Sequence, residues 1–337
     1  MLKVLELFSG VGSFSVVLKT LGIEHEIVGY SEIRPTAVGI FCKIHNKSPE
    51  ENLGDVKNVS VKGMEVDLLT FGSPCQNFSR GGKGEGGTKN SNTKSALMWE
   101  AVRVMNECQP KFIVWENVPD ALNKKHKSNF DDYMKELDEI GIGYNTYFEV
   151  LNAHELGSAQ KRKRLFAVSI RKDIDNGRFE FIKEIRKPKP LIAYLDTPES
   201  YETPRKDIHE SLVLERIGND LKIFNGNKIG FMMASEGDAI DLNYHSSKTR
   251  RGRVQKSACH TLLRIKSIGT YQNGVLRYLT PLEHWRLQEM PEQLYTYIKE
   301  SDLSTKDKYD VVGGAINQCH LEVVFKSLDK AFNLNNL

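Results

Sequence analysis

The chain has 337 residues, 39% apolar and 27% charged, with a net charge of +3 and a mean hydropathy of −0.43, which excludes a disordered, collagen-like or membrane-embedded polypeptide. No apolar run approaches the ~18 residues of a membrane span, and the first stretch carries Glu6 where a secretory signal has its apolar centre, so a cytoplasmic protein is expected. Five scattered cysteines (Cys42, Cys75, Cys108, Cys259, Cys319) form no C-x-x-C pair, which argues against a disulfide framework and against a metal site.

In chain order, Lys3 to Phe8 reads as a buried strand that Ser9-Gly10-Val11-Gly12-Ser13 interrupts. Phe14, Val17, Leu18 and Leu21 then recur at helical spacing until Gly22 stops the helix. A strand from Glu26 to Tyr30 ends at Ser31-Glu32; a helix from Ala37 to His45, the turn Gly54-Asp55-Val56 and a strand from Val66 to Phe71 follow. The alternation continues with a helix over Ser95 to Cys108, a strand over Lys111 to Trp115, a helix over Asn129 to Ile140, and strands over Thr146 to Leu151 and Arg164 to Ile170. This order predicts the α/β class, a doubly wound and mostly parallel sheet with helices on both faces.

After Arg171 the texture changes, with Pro188, Pro190, Pro198 and Pro204 close together, which places a domain boundary near Lys172. Order returns at Thr280-Pro281-Leu282-Glu283, an N-cap, a first-turn proline and a reciprocal capping glutamate that open a helix through about Gln288. A turn at Gly313-Gly314 precedes a last helix from Leu321 to Phe332, whose apolar face is expected to cover the first domain. The expected divisions are therefore 1–172, a smaller irregular domain at 173–275, and a segment 276–337 that returns to the first.

Charge is unevenly spread. Residues 155–189 carry +6 and residues 245–266 carry +7, leaving the rest of the chain at −10. A phosphate-tracking surface on an acidic body has this distribution, although a charge run alone also describes a solvated lysine-rich face.

The glycine turn after the first strand lets a ligand approach the backbone, and Glu32, at the end of the second strand, is placed for ribose hydroxyls, which together suggest an adenosine-containing ligand. Ser15 stands where a dinucleotide fingerprint has its third glycine, and there is no Gly-Lys-Ser/Thr, so a nicotinamide cofactor and ATP lose weight. Cys75, in Gly72-Ser73-Pro74-Cys75-Gln76, follows directly on a strand, at the edge where open α/β sheets keep reactive groups, and Pro74 fixes the backbone before the thiol. The next strand delivers Glu116, in Trp115-Glu116-Asn117-Val118-Pro119, to the same edge. A later strand is entered through Gln160-Lys161-Arg162-Lys163-Arg164, whose alternate residues Gln160, Arg162 and Arg164 are expected on one face, so that thiol, carboxylate and guanidinium converge.

These segments, in this order, resemble the C5-cytosine DNA methyltransferase family of bacteria and phages, which uses S-adenosyl-L-methionine. Phe8-x-Gly10-x-Gly12, Glu32, Asp55-Val56, Pro74-Cys75-Gln76, Glu116-Asn117-Val118 and Gln160-x-Arg162-x-Arg164 are similar to its first, second, third, fourth, sixth and eighth motifs. Arg253-Val254 through Thr261-Leu262 resembles the ninth, and Arg277 through Leu287 the approach to the tenth; only about 173–247 lies outside the likeness.

The resemblance implies the S-adenosylmethionine-dependent methyltransferase fold with a smaller DNA-recognition domain. It implies Cys75 as the nucleophile that adds to cytosine C6, Glu116 at N3, Arg162 at O2 and Arg164 holding the base pocket. Cofactor contacts would come from Phe8, Gly10, Val11, Gly12, Glu32, Ile33, Asp55, Val56, Pro74 and Leu97. Because the target base is stacked in duplex DNA it must be flipped out, and Arg80 to Lys94, with five glycines and four basic residues against one acidic, suits a clamp that closes over it. Gln76, Ser79, Arg80, Lys83, Lys89, Arg250, Arg251 and Arg253 are the expected DNA contacts. The implied partner is double-stranded DNA, met by a monomer associated with the nucleoid, either as an orphan methylase or with a restriction endonuclease that acts separately; no metal is implied. A transfer-RNA cytosine methyltransferase of the same fold and a catalytically idle DNA-binding homologue remain as alternatives. Two departures stand out: Gly313-Gly314-Ala315-Ile316-Asn317 replaces the Gly-Asn of the tenth motif, with Asn317 as the nearest substitute, and Arg34 follows Glu32-Ile33 where an acidic or neutral residue is common.

Overall fold

The computed structural model describes residues 1–75, 86–89, 91, 93–197 and 202–336. They form two compact units: the first holds 1–152, 163–184 and 320–337, the second 153–162 and 185–319. This division differs from the expected one, since of the segment 276–337 only the part from His320 belongs with the N-terminal residues.

The first unit is built on a six-stranded sheet of order β2-β1-β3-β4-β6-β5, from β1 (Leu2–Leu7), β2 (His25–Ser31), β3 (Leu68–Phe71), β4 (Phe112–Asn117), β5 (Tyr144–Asn152) and β6 (Lys163–Arg171). β1 to β4 are parallel and β6 alone runs against its neighbours. Connections run through α1 (Ser13–Thr20), α2 (Pro35–His45), α3 (Met98–Cys108) and α4 (Lys127–Glu139). Side chains alternate between the sheet faces. Leu5, Leu7, Leu69, Phe71, Ile113, Trp115, Leu165 and Ala167 form one core with Met98, Ala101, Val102 and Met105 of α3 and Phe130, Tyr133 and Leu137 of α4. The opposite face is closed by the last helix of the chain, whose Phe325 meets Phe14 edge-on at 6.4 Å, whose His320 faces Phe166 at 5.6 Å and whose Phe332 meets Phe112 at 5.1 Å.

The second unit carries α5 (Lys206–Leu212), an antiparallel three-stranded sheet of β7 (Val213–Ile217), β8 (Asp220–Phe224) and β9 (Phe231–Ala234), and a four-stranded sheet of order β11-β10-β12-β13. The latter comprises β10 (Ala239–Asp241), β11 (Val254–Gln255), β12 (Ile268–Gln272) and β13 (Val275–Tyr278). α6 (Pro281–Leu287) opens with the expected capping box: the Glu283 amide donates to Thr280 Oγ1 at 3.2 Å and the Thr280 amide to Glu283 Oε2 at 2.7 Å. α7 (Thr296–Lys299) and α8 (Thr305–Gly314) follow, and α9 (Gln318–Phe332) is the helix that ends in the first unit. The expected turn at Gly313-Gly314 is instead the last turn of α8. A Cβ on Gly313 would lie 2.2 Å from the Leu263 carbonyl oxygen, so the glycine serves a close backbone approach inside a helix.

Candidate active site

The carboxyl ends of the parallel strands place three loops side by side. The Ser9 amide donates to the Ser31 carbonyl (3.0 Å), the Leu53 amide to the Tyr30 carbonyl (2.8 Å) and the Ser31 hydroxyl to the Gly54 carbonyl (2.6 Å), so the loops after β1 and β2 and the one holding Asp55 are stitched together. Phe8, Gly10 and Gly12 all have positive φ (53°, 57° and 76°), which turns the chain sharply into α1. At Gly12 a side chain is disfavoured twice over, by the left-handed backbone and because a Cβ would fall 2.0 Å from Nε2 of His45, which would have to move. That imidazole donates through Nε2 to the Val11 carbonyl at 3.0 Å, and burial pushes its pKa down to about 4, so it stays neutral.

Beneath the turn, Glu6 is fully buried and accepts from the Ser15 amide (2.9 Å) and the Ser15 hydroxyl. Ser15 therefore supplies donors where the dinucleotide fingerprint has glycine. Burial pushes the Glu6 carboxyl up to about 7. Glu32 sits at the rim: its carboxylate accepts from the amides of Gly10 (3.0 Å), Ile33 (3.0 Å) and Arg34 (2.9 Å). Ile33 is 69% exposed, an apolar surface beside that carboxylate. Asp55 is exposed and accepts from the Lys57 amide, Val56 is buried in the core, and Leu97 packs partly buried against it.

Two adjacent strands end at the candidate residues Cys75 and Glu116. Phe71 and Trp115 are register partners in β3 and β4, with rings stacked at 5.9 Å. The segment Gly72-Ser73-Pro74-Cys75 leaves β3 beside the end of β4. Ser73 ties the two: its buried hydroxyl accepts from Trp115 Nε1 and from Asn117 Nδ2, each at 3.1 Å. Glu116 stands between those two donors in sequence, pairs with Phe166 of β6, and places Oε1 2.8 Å from Arg164 Nε. This contact is an ion pair whose angle falls outside hydrogen-bond geometry, since Oε1 accepts no directed bond. Cys75 is half-buried and packs against the main core.

Arg164 is the one member of the Gln160, Arg162, Arg164 series that lies in β6, which begins at Lys163, so the expectation of three residues on one strand face does not hold. Gln160 and Arg162 belong to the second unit. Gln160 is buried there, donating to the Leu287 carbonyl (2.9 Å) and accepting from the Leu262 amide (3.1 Å), and Arg162 donates to the Leu262 carbonyl (3.4 Å). The loop of the eighth motif is thus laced to the ninth. Sequence periodicity missed this because both ends of the lacing are irregular backbone.

Asn317 is buried, donates to the Leu287 carbonyl (2.9 Å) and accepts from the Cys319 amide (3.1 Å). Its side chain caps the start of α9.

Of the expected DNA contacts, Gln76, Ser79, Arg80 and Lys83 lie outside the described residues. Lys89 is ion-paired with Glu136 and lies 5.6 Å from the Trp99 ring. In the second unit, Arg250 is exposed over the Tyr244 ring at 5.4 Å, Arg251 stacks on Phe224 at 3.8 Å, and Arg253 is ion-paired with the buried Asp241. A concavity of about 630 Å³ at the opposite edge of the main sheet holds none of the candidate residues, and its charges pair with one another, Lys111 with Asp67 at 2.9 Å and Lys3 with Glu65. Among the described residues no group of acidic, histidine and cysteine side chains suits a metal ion, and no helix is long and apolar enough to cross a membrane.

The sequence model for C-5 cytosine-specific DNA methylases matches residues 2–330. An orphan methyltransferase, M.SPRI of Bacillus phage SPR, is 27% identical with 97% of each chain covered, and the type II methyltransferase M2.ScrFI of Lactococcus lactis subsp. cremoris is 25% identical over 98% of this chain and all of that one. Among solved structures, the Entamoeba histolytica methyltransferase EhMeth superposes with a TM-score of 0.67 at 18% identity, covering 98% of both chains, and the S. pombe Dnmt2 methyltransferase with 0.66 at 20%, covering 98% and 99%. The main sheet with its single antiparallel strand is accordingly the S-adenosylmethionine-dependent methyltransferase fold, and the chain belongs to the C-5 cytosine-specific DNA methylase family.

Proposed function

We propose that the protein methylates C5 of a cytosine flipped out of a specific duplex DNA sequence, with S-adenosyl-L-methionine as methyl donor and a covalent adduct between Cys75 and C6 of the base. The reading is carried by the Ser73 hydroxyl, which joins the segment bearing Cys75 to the strand end bearing Glu116. The residues present fit the cofactor: a left-handed glycine turn, a carboxylate at its rim and an exposed isoleucine beside it are what an adenosine needs. When bound, that cofactor supplies an electrophilic methyl group on a sulfonium sulfur.

The thiolate of Cys75 adds to C6, forming the S–C bond and moving the C5=C6 electron pair to C5, which is the atom that then takes the methyl group. Glu116, donating a proton to N3 from its carboxylic acid form, and the Arg162 guanidinium at O2 offset the negative charge that this addition places on the ring, and Arg164 positions the Glu116 side chain through the 2.8 Å pair. Removal of the C5 proton by a base, water in the simplest case, restores the double bond and expels Cys75 as thiolate. The basic segments track phosphate; the clamp expected over 80–94 lies largely outside the described residues. A restriction endonuclease, if the protein works with one, acts separately.

Incubation with tritium-labelled S-adenosylmethionine and either duplex DNA or transfer RNA, followed by bisulfite mapping, tests the reading. Label on DNA cytosines that disappears in Cys75→Ser is expected, together with a denaturant-stable complex on DNA containing 5-fluorocytosine, whose fluorine blocks the last step. Label on RNA alone would move the substrate to transfer RNA, and retention on DNA without label would mark an idle homologue.

A further inference from the structure

Glu32 is already engaged. Besides the three amides, its carboxylate accepts a fork from Arg34, with Nε 3.1 Å from Oε1 and Nη2 3.0 Å from Oε2. A carboxylate offers about four lone-pair positions, and here five donors share them, so no acceptor position is left over. The amides of Gly10, Ile33 and Arg34 belong to the fixed backbone of the glycine turn and of the start of α2, where Pro35 holds the first helical position. The guanidinium is the one donor group that can leave, because its side chain is 26% exposed while that of Glu32 is only 6% exposed. It also lies over the turn itself, since a Cβ on Gly10 would come 3.8 Å from Nη2.

We propose that Arg34 is an intramolecular competitor for the ribose position and thereby sets the affinity for the cofactor. The vicinal hydroxyls of a ribose donate two hydrogen bonds to one carboxylate, and they need the two acceptor positions that the Arg34 fork occupies. Ligand and arginine exclude each other on Glu32, so the cofactor binds the fraction of molecules in which Arg34 has swung away, and its apparent dissociation constant is raised by that fraction. The geometry accounts for the departure at this position: an acidic or neutral residue leaves the carboxylate open, whereas arginine closes it. The inference rests on the assignment of Glu32 to the ribose.

The test is calorimetric titration of S-adenosylhomocysteine, which carries the same ribose and no net charge, into the full-length protein and three variants. Arg34→Met, which keeps the aliphatic stem, is expected to bind about tenfold more tightly, the scale of a forked charge-assisted pair at a partly exposed site. Arg34→Lys, which retains the charge without the fork, is expected to fall between. Glu32→Ala is expected to bind more weakly than the wild type, and adding Arg34→Met to it to give no further gain. Added salt is expected to tighten binding to the wild type and leave Arg34→Met unchanged. Unchanged or weaker binding by Arg34→Met and Arg34→Lys, with Glu32→Ala still impaired, would overturn the competition and leave the ribose assignment standing. Unimpaired binding by Glu32→Ala would overturn the assignment, and the competition with it.

Discussion

Ser73 is a small residue with a large positional role. Its hydroxyl accepts two indispensable donors, Trp115 Nε1 and Asn117 Nδ2, both buried. Ser73→Ala strands the Trp115 indole N–H, at about 1–3 kcal/mol, leaves Asn117 Nδ2 only the Ser73 carbonyl at 3.4 Å, and loosens the segment that ends in Cys75. The expected result is a fall in kcat of at least about tenfold with unchanged affinity for S-adenosylhomocysteine; equal kcat in the variant would show that the Cys75 segment is held by other contacts. Glu6 and His45, on either side of the glycine turn, make opposite demands on pH. Glu6 is raised from 4.5 to about 7, so its contribution is complete below pH 4.5 and is lost as pH rises toward 7; His45 is lowered from 6.5 to about 4, so its contribution is complete above pH 6.5 and is lost as pH falls toward 4. The two slopes offset each other between about pH 4.5 and 6.5. Glu6→Gln removes one of them, and the stability difference between variant and wild type is expected to move by about 3 kcal/mol in favour of the variant from pH 4 to pH 8. Parallel curves in urea unfolding at the two pH values would refute this.

α6 shows how one side chain can serve two structures at once. Glu283 closes the capping box with Thr280 and also takes a fork from Arg277, with Nη1 on Oε2 and Nη2 on Oε1 at 2.8 and 2.6 Å, where both side chains are wholly buried. Thr280→Ala removes one cap bond and is expected to cost about 1 kcal/mol. Glu283→Ala strands a buried guanidinium and is expected to cost about 3–5 kcal/mol; chemical denaturation of the two variants checks the ranking, and equal losses would mean that the cap outweighs the pair. The cap was legible in Thr-Pro-Leu-Glu because capping is a local rule. Arg277 was not, because nothing local says that a guanidinium six residues upstream will be buried against the cap. The same distinction runs through the chain. The strands of the main sheet announced themselves by apolar runs and glycine turns, and Cys75 and Glu116 fell at strand ends that period and punctuation could locate. α8 escaped notice because Gly313-Gly314 reads locally as a turn, whereas the glycine answers to the distant Leu263 carbonyl. Arg162 and Arg164 alternate on paper as if in one strand, yet the strand begins between them.

At the scale of the whole molecule, the chain passes between the two units after residues 152, 162, 184 and 319. The return of α9 to the first unit was readable from its apolar face, which needs something to cover, whereas the change of texture after Arg171 pointed to Lys172 and the chain leaves the first unit only after Glu184. The first unit needs that helix: the amide of Ile182 donates to Ser327 Oγ at 2.9 Å, Asn176 Nδ2 to the Ala331 carbonyl at 3.0 Å, and the Glu24 amide to Asn335 Oδ1 at 2.7 Å, beside the aromatic contacts of Phe14, Phe112 and Phe166. A fragment ending at Lys172 leaves that sheet face bare and is expected to lack a cooperative thermal transition, while a single chain joining 1–184 to 320–337 recovers one. Cooperative melting of the shorter fragment would show that α9 is dispensable.

The late position of α9 also sets an order of events during synthesis. The residues from Ile185 to Cys319 leave the ribosome between the two halves of the first unit, an interval of about ten seconds at ordinary elongation rates. Through that interval the sheet that carries Cys75 and Glu116 has an uncovered apolar face, so completion of the first unit waits on synthesis of α9.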